Sequence, residues 1–244
     1  IRSYLFIGPT GVGKTNLAKV YSKELLGLDN FIRLDMSEYS DSTAINKIIG
    51  SSPGYVGYQD NNTVITRLKD KPNSILLLDE IDKANPSVIN LLYQILDEGQ
   101  LTDAQNNTVN LNNLTIIMTS NLGYEETKVG FNNVEKVALK SSLKQKFPPS
   151  LINRIDTIIQ FNYLTEKDIT IIIKNKLKDL KNKYPDFTYS NKLINDIIKE
   201  SNYKEYGARR ISKIIDTKIE NQIIDKLIEK SPLIIESLKI PSAA

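Results

Sequence analysis

Three stretches of the chain hold residue types whose spacing could do chemistry. Gly8-Pro9-Thr10-Gly11-Val12-Gly13-Lys14-Thr15 fits G-x-x-x-x-G-K-[ST] with no mismatch. Its glycines let a loop curl so that backbone N–H groups face one point, and the helix opening behind it adds a positive dipole end. Such a loop cradles phosphates. Lys14 then supplies a point charge to the β- and γ-phosphates, and the Thr15 hydroxyl is a natural Mg²⁺ ligand. The second stretch, Ile75-Leu76-Leu77-Leu78-Asp79-Glu80, is an apolar run ending in two acids. A buried parallel strand delivers its last residues to the carboxyl edge of the sheet, where ligands bind. There Asp79 holds Mg²⁺, directly or through water, and Glu80 polarises the attacking water. The third stretch, Thr115–Asn121, is another apolar strand with a polar end. Asn121 falls beside the γ-phosphate and orients the water, or else closes an ordinary strand-end turn.

Composition narrows the chemistry further. The 244 residues include no Cys and no His, which excludes disulfides, thiolate chemistry, zinc sites and histidine bases. Any general base is therefore a carboxylate, Lys or Tyr. The net charge of +3 is mild, and basic residues alternate with acidic ones instead of forming one stripe, so nucleic acid is not an expected partner. No apolar run approaches the roughly 20 residues that span a bilayer, and no signal-like start is present, so no membrane is expected. Ile, Asn and Lys are abundant, a bias that reflects codon usage more than chemistry.

These residues need a sheet edge to hold them together. Up to about residue 162, short β-rich apolar runs alternate with amphipathic stretches, the pattern of a wound α/β domain. Strands are expected at Ser3–Ile7, Phe31–Asp35, Ile75–Leu78, Thr115–Met118 and Thr157–Phe161. Their near-continuous apolar character predicts a five-stranded parallel sheet covered on both faces. Helices are expected at Lys14–Leu26, Ala44–Ile49, Pro86–Glu98 and Val134–Lys146. From Thr165 the period becomes helical, with Thr165 as an N-cap before Ile169–Lys183, then Asn191–Ser201, one long helix Ala208–Lys230 and a terminal strand near Leu233–Ile240. The expected domains are residues 1–162, a large α/β unit, and 163–244, a small, mostly helical one.

At this point a family becomes recognisable. Gly8–Thr15, Asp35-Met36-Ser37-Glu38-Tyr39, Gly54-Tyr55-Val56-Gly57-Tyr58 and Leu78-Asp79-Glu80-Ile81-Asp82-Lys83-Ala84 resemble the second AAA+ module of Clp unfoldases. Leu101-Thr102-Asp103, Thr119-Ser120-Asn121, Asn153-Arg154-Ile155-Asp156 and Tyr206-Gly207-Ala208-Arg209 continue the likeness in the same order. The resemblance implies an ATP-hydrolysing subunit that uses Mg²⁺, assembles as a homo-hexamer and threads unfolded polypeptide through a central pore. Gly54–Tyr58 alone reads as a surface turn. The resemblance makes it a pore loop, with Tyr55 gripping substrate and Val56 beside it. Arg154 resembles the arginine finger that reaches a neighbour's γ-phosphate, and Arg209 the second sensor arginine.

Val129-Gly130-Phe131 resembles the loop by which protease-partnered members dock on a Clp peptidase ring. An apolar tripeptide in a polar loop is unfavourable unless it binds something. This favours a ClpC-like subunit, with a peptidase-independent, ClpB-like disaggregase as the alternative. Asn61-Asn62, Asn85, Pro148 and Arg210 depart from the family pattern, at no catalytic position. The upstream segment that helps enclose adenine in the family does not precede the first strand here. Weak nucleotide affinity and poor hexamer formation are therefore expected of this piece. A plastid stroma or bacterial cytoplasm fits the composition together with the resemblance.

Overall fold

The computed structural model describes residues 1–51, 63–124 and 136–238, with side chains of 136–140 left aside. The expected pore segment with Tyr55 and Val56, the tripeptide Val129–Phe131 and the last residues of the expected terminal strand lie outside these residues. Two compact units emerge. One comprises Ile1–Gly8 and Gly13–Phe161, the other Pro9–Val12 and Asn162–Ala244.

In the first unit the order is β1 (Arg2–Ile7), α1 (Lys14–Leu25), β2 (Phe31–Asp35), α2 (Ala44–Ile49), α3 (Val64–Asp70), β3 (Ile75–Asp79), α4 (Pro86–Glu98), β4 (Gln100–Thr102), β5 (Thr108–Asn110), β6 (Thr115–Ser120), α5 (Lys136–Lys146), α6 (Pro149–Arg154) and β7 (Thr157–Gln160). Five strands form the expected sheet in the order β2-β3-β6-β1-β7, every neighbouring pair parallel. All five residues of β3 are buried, and side chains alternate between two layers. Leu76 and Leu78 join Leu5, Ile7, Ile116 and Met118 on one face, while Ile75 and Leu77 join Phe6, Ala18 and Ile117 on the other. A period-2 alternation of apolar residues on both faces is what a sheet covered on each side requires. The parallel register brings Asp35 beside Asp79 and Ile7 beside Ser120, so the strand ends share one edge.

The elements not expected from sequence are short. Helices α3 and α6 have 7 and 6 residues, too few to display a helical period. The β4–β5 hairpin has three residues per strand. It starts where α4 stops, at Gly99 with φ 69°, a left-handed C-cap that glycine adopts without penalty. At the other end of α4, Asn85 accepts from the Ser87 N–H at 3.0 Å and Pro86 opens the first turn. Asn85 is thus a competent cap.

The second unit contains α7 (Glu166–Lys183), β8 (Thr188–Tyr189), α8 (Asn191–Ser201), α9 (Tyr203–Tyr206), α10 (Arg209–Ile214), α11 (Glu220–Ile228) and β9 (Ile234–Ile235). Thr165 caps α7 as expected, and Asp168 closes a capping box with it. Ile169, Ile173, Leu177 and Leu180 face a core shared with Leu193, Ile197, Ile211 and Ile214. The single helix expected at Ala208–Lys230 is divided by a π-helical turn, Ile215–Ile219. Its cause is visible in the spacing. Ile211, Ile215, Ile219 and Ile223 are all buried four residues apart. An α-helix of 3.6 residues per turn would rotate that row by about 40° at each step. One wider turn keeps the four on the core face. Among the described residues the terminal strand covers Ile234–Ile235, in parallel pairing with β8.

Candidate nucleotide site

The first unit brings Lys14, Thr15, Asp79, Glu80 and Asn121 to the carboxyl edge of its sheet. Gly8 follows β1 and lies against β7's continuation: a Cβ there would meet Phe161 Cβ and O at 2.7 Å, so only glycine fits. Gly13, with φ 103°, precedes α1, and the Leu17 N–H donates to the Gly13 carbonyl at 2.8 Å, starting the helix. The buried Lys14 ammonium donates to the Gly8 carbonyl and to Asn121 Oδ1, each at 2.7 Å. The Asn121 side chain therefore points at the loop lysine, while its backbone carbonyl accepts from the Tyr124 N–H at 3.0 Å in a turn at the strand end.

Asp79 is the hub. Its carboxylate is 9% exposed and accepts from Thr119 Oγ1 at 2.5 Å on one oxygen. Thr15 Oγ1 stands 3.0 and 3.2 Å from the two oxygens. Arg33 donates from Nε at 3.2 Å and Nη2 at 2.7 Å to the other oxygen. A hydroxyl and a carboxylate converging at the end of a phosphate-type loop form a hard-oxygen donor set that suits Mg²⁺.

Glu80 has φ 57° and ψ 51°, the left-handed region, which an L-residue adopts at about 1–2 kcal/mol. Its N–H donates to Thr119 Oγ1 at 3.0 Å, so one hydroxyl fixes both acids. The Glu80 carboxylate accepts from Lys83 at 2.5 Å and Ser37 Oγ at 3.5 Å. Backbone strain held by surrounding bonds is common where a side chain must be aimed. Nearby, the Ser37 hydroxyl and N–H, at 2.7 and 3.0 Å, hold the Asp35 carboxyl below its ordinary range. Thr119 and Arg33 were not among the expected site residues. The signal for Arg33 was a basic side chain in the middle of the strand Phe31–Asp35.

Arg154 ends α6, and its Nη2 pairs with Asp97 Oδ1 of α4. Two residues on, Asp156 Oδ2 accepts from the Ser3 N–H at 2.8 Å and Ser3 Oγ at 3.0 Å, fastening this segment to the start of β1. In the second unit, Pro9–Val12 pack with Tyr206–Ala208: the Ala208 N–H donates to the Gly11 carbonyl at 2.9 Å. Gly11 and Gly207 both have positive φ and approach so closely that neither has room for a Cβ. Arg209 opens α10 and is exposed.

A parallel sheet ordered 2-3-6-1-7 with this loop after its β1 strand defines the class, an α/β nucleotide-binding fold of the AAA+ type. Residues 1–158 match the family described as AAA domain (Cdc48 subfamily), and residues 164–236 match the C-terminal, D2-small domain of ClpB protein. The chaperone protein ClpB of Mycoplasmoides gallisepticum is 41% identical over 234 residues, covering 94% of this chain and 32% of that protein. The ATP-dependent Clp protease ATP-binding subunit ClpL of Staphylococcus aureus is also 41% identical, over 92% of this chain and 32% of that one. Among solved structures, Hsp104 with ATPγS and FITC casein superposes with a TM-score of 0.81 at 31% identity, over 98% of this chain and 44% of that one. The S. cerevisiae Hsp104–ADP complex gives 0.80 at 33%, over 97% and 43%. The chain belongs to the Clp/Hsp100 family of AAA+ ATPases. It spans about a third of the length of the curated relatives it matches.

Proposed function

We propose that the chain is an ATP-hydrolysing module of a polypeptide-threading hexamer. The observation that carries this reading is the convergence of Lys14 and Asn121 at 2.7 Å and of Thr15 and Asp79 at 3.0 Å on one sheet edge. In this reading Gly8, Pro9, Thr10, Gly11, Val12 and Gly13 turn backbone N–H groups to the phosphates. Lys14 neutralises β/γ charge, and Thr15 with Asp79 holds Mg²⁺. When bound, Mg²⁺ supplies charge neutralisation at the phosphates. Glu80, aimed by its strained backbone, takes a proton from the attacking water, while Asn121 orients that water. Arg154 stabilises developing charge on a neighbouring copy's nucleotide, and Arg209 reports nucleotide state.

Tyr55 and Val56 act as the substrate grip. Val129-Gly130-Phe131 docks on a Clp peptidase ring, so unfolded polypeptide is delivered for proteolysis. A second reading has its own support: the matched small domain and one relative carry the name ClpB, which favours a disaggregase without a peptidase. Deleting 129–131 separates the two, since it abolishes peptidase-ring binding only in the first. The compartment in this reading is the bacterial cytoplasm or the plastid stroma.

The catalytic assignment is tested in the assembled protein with Glu80→Gln. ATP turnover falls by at least about 100-fold while ATP binding persists. Unchanged turnover removes Glu80 from the reaction.

A further inference from the structure

Asp79 is read above as the metal-holding acid, yet its Oδ2 already has a cation on it. Arg33 reaches across from β2 with a two-pronged contact, Nε at 3.2 Å and Nη2 at 2.7 Å, both on that single oxygen. The placement follows from register. Arg33 pairs with Leu77, and Asp79 lies two residues further on the same face of β3, the diagonal position that a long side chain reaches. The two partners differ in setting: the Asp79 side chain is 9% exposed and that of Arg33 50%. A carboxylate so buried requires a counter-charge or strong hydrogen bonds. Thr119 and Thr15 supply hydroxyls, and Arg33 supplies the charge.

We infer that Arg33 is a positioning residue that acts as a built-in counter-ion to Asp79 and competes with Mg²⁺ for it. A divalent ion drawn to this carboxylate meets a guanidinium already bonded to one of its two oxygens, and like charges repel. Because half of Arg33 faces solvent, its guanidinium can leave for water without being stranded. The pair thus sets the Mg²⁺ concentration at which the site fills. Arg33 keeps Asp79 aimed and compensated when the ion is absent, and it raises the concentration needed to bind the ion. This inference rests on Asp79 being the metal acid.

The test titrates MgCl₂ against the chain with a fluorescent ADP analogue and reads the Mg²⁺ midpoint of nucleotide binding, with no turnover involved. Arg33→Gln lowers that midpoint by roughly fivefold, a size set by the screening of a half-exposed charge. Arg33→Lys keeps the charge, loses the fork and falls between. A merely structural role would lower stability in urea and leave the midpoint where it was. Arg33→Gln with an unchanged or raised midpoint overturns the inference, and should that variant not fold, Arg33→Lys with a wild-type midpoint does the same. Asp79→Asn separates the two levels. If it loses the Mg²⁺ response while both Arg33 variants match wild type, only the Arg33 inference fails. If it behaves as wild type, or if no variant responds to Mg²⁺, the reading of Asp79 fails and the inference with it.

Discussion

Replacing Thr119 with Val keeps the shape of the side chain and removes the one hydroxyl that ties Asp79 to Glu80. Thr119 is 1% exposed, so water cannot stand in for that hydroxyl. Two bonds are lost: the Glu80 N–H loses its acceptor at 3.0 Å, and Asp79 Oδ1 loses a donor at 2.5 Å. A buried group left unpaired costs about 1–3 kcal/mol. Asp79 retains Thr15 and Arg33, which places its share near the lower limit. The added methyl returns about 0.8 kcal/mol. The net loss is about 1–3 kcal/mol. With a urea slope of about 2 kcal/mol per molar, the unfolding midpoint drops by about 0.5–1.5 M. Thr119→Ser keeps the hydroxyl and loses one methyl, about 1 kcal/mol. Equilibrium urea unfolding followed by circular dichroism measures both. A Val variant as stable as the Ser variant would refute the claim that this hydroxyl holds the two acids.

Three further outcomes follow from the geometry. Glu80→Gly removes the left-handed penalty and stabilises or leaves unchanged the first unit in the same assay while abolishing turnover; marked destabilisation would show that φ 57° is not strained. Ile197→Ala, at 0% exposure in the second unit's core, lowers stability by about 2–5 kcal/mol, read as faster proteolysis of α8 and its neighbours; unchanged proteolysis rejects that packing. The Thr165 hydroxyl, with its N–H, holds the Asp168 carboxyl below its ordinary value of 3.8. A depressed carboxyl stabilises the fold above that value, and the contribution fades as pH falls through the lower folded value. Asp168→Asn should therefore lose less stability than wild type in acid melts taken downward from pH 4; an equal loss removes this carboxyl from the account.

Much of the fold was legible because it depends on local pattern. The strands Phe31–Asp35 and Ile75–Asp79 and the helix Pro86–Glu98 carry their own period and caps. What stayed hidden depends on register or on short elements. Nothing in the string Phe-Ile-Arg-Leu-Asp says that Arg33 will lie diagonal to Asp79; strand pairing decides that. Thr119 was visible as part of Thr119-Ser120-Asn121, but its bridge exists only because β6 lies next to β3. The π-turn was written in the four-residue spacing of Ile211–Ile223, a period easily taken for an uninterrupted helix. Short elements such as α6 contain less than two turns of pattern, and so Arg154 was placed by resemblance alone.

The clasp between Asp156 and Ser3 has a consequence for stoichiometry. Ser3 accepts Arg154's segment at one end of β1, donating from Oγ to the Arg154 carbonyl at 3.3 Å, while Gly8 begins the phosphate loop at the other. Gly8 lies five steps along the chain from Ser3, about 16 Å at 3.3 Å per step. An arginine side chain reaches less than half that distance, and the Asp97 pair holds its guanidinium beside α4. Arg154 of one copy therefore does not reach that copy's own loop at Gly8. In the proposed reading it serves a neighbouring copy instead, and a closed ring is the arrangement in which no such half is left over.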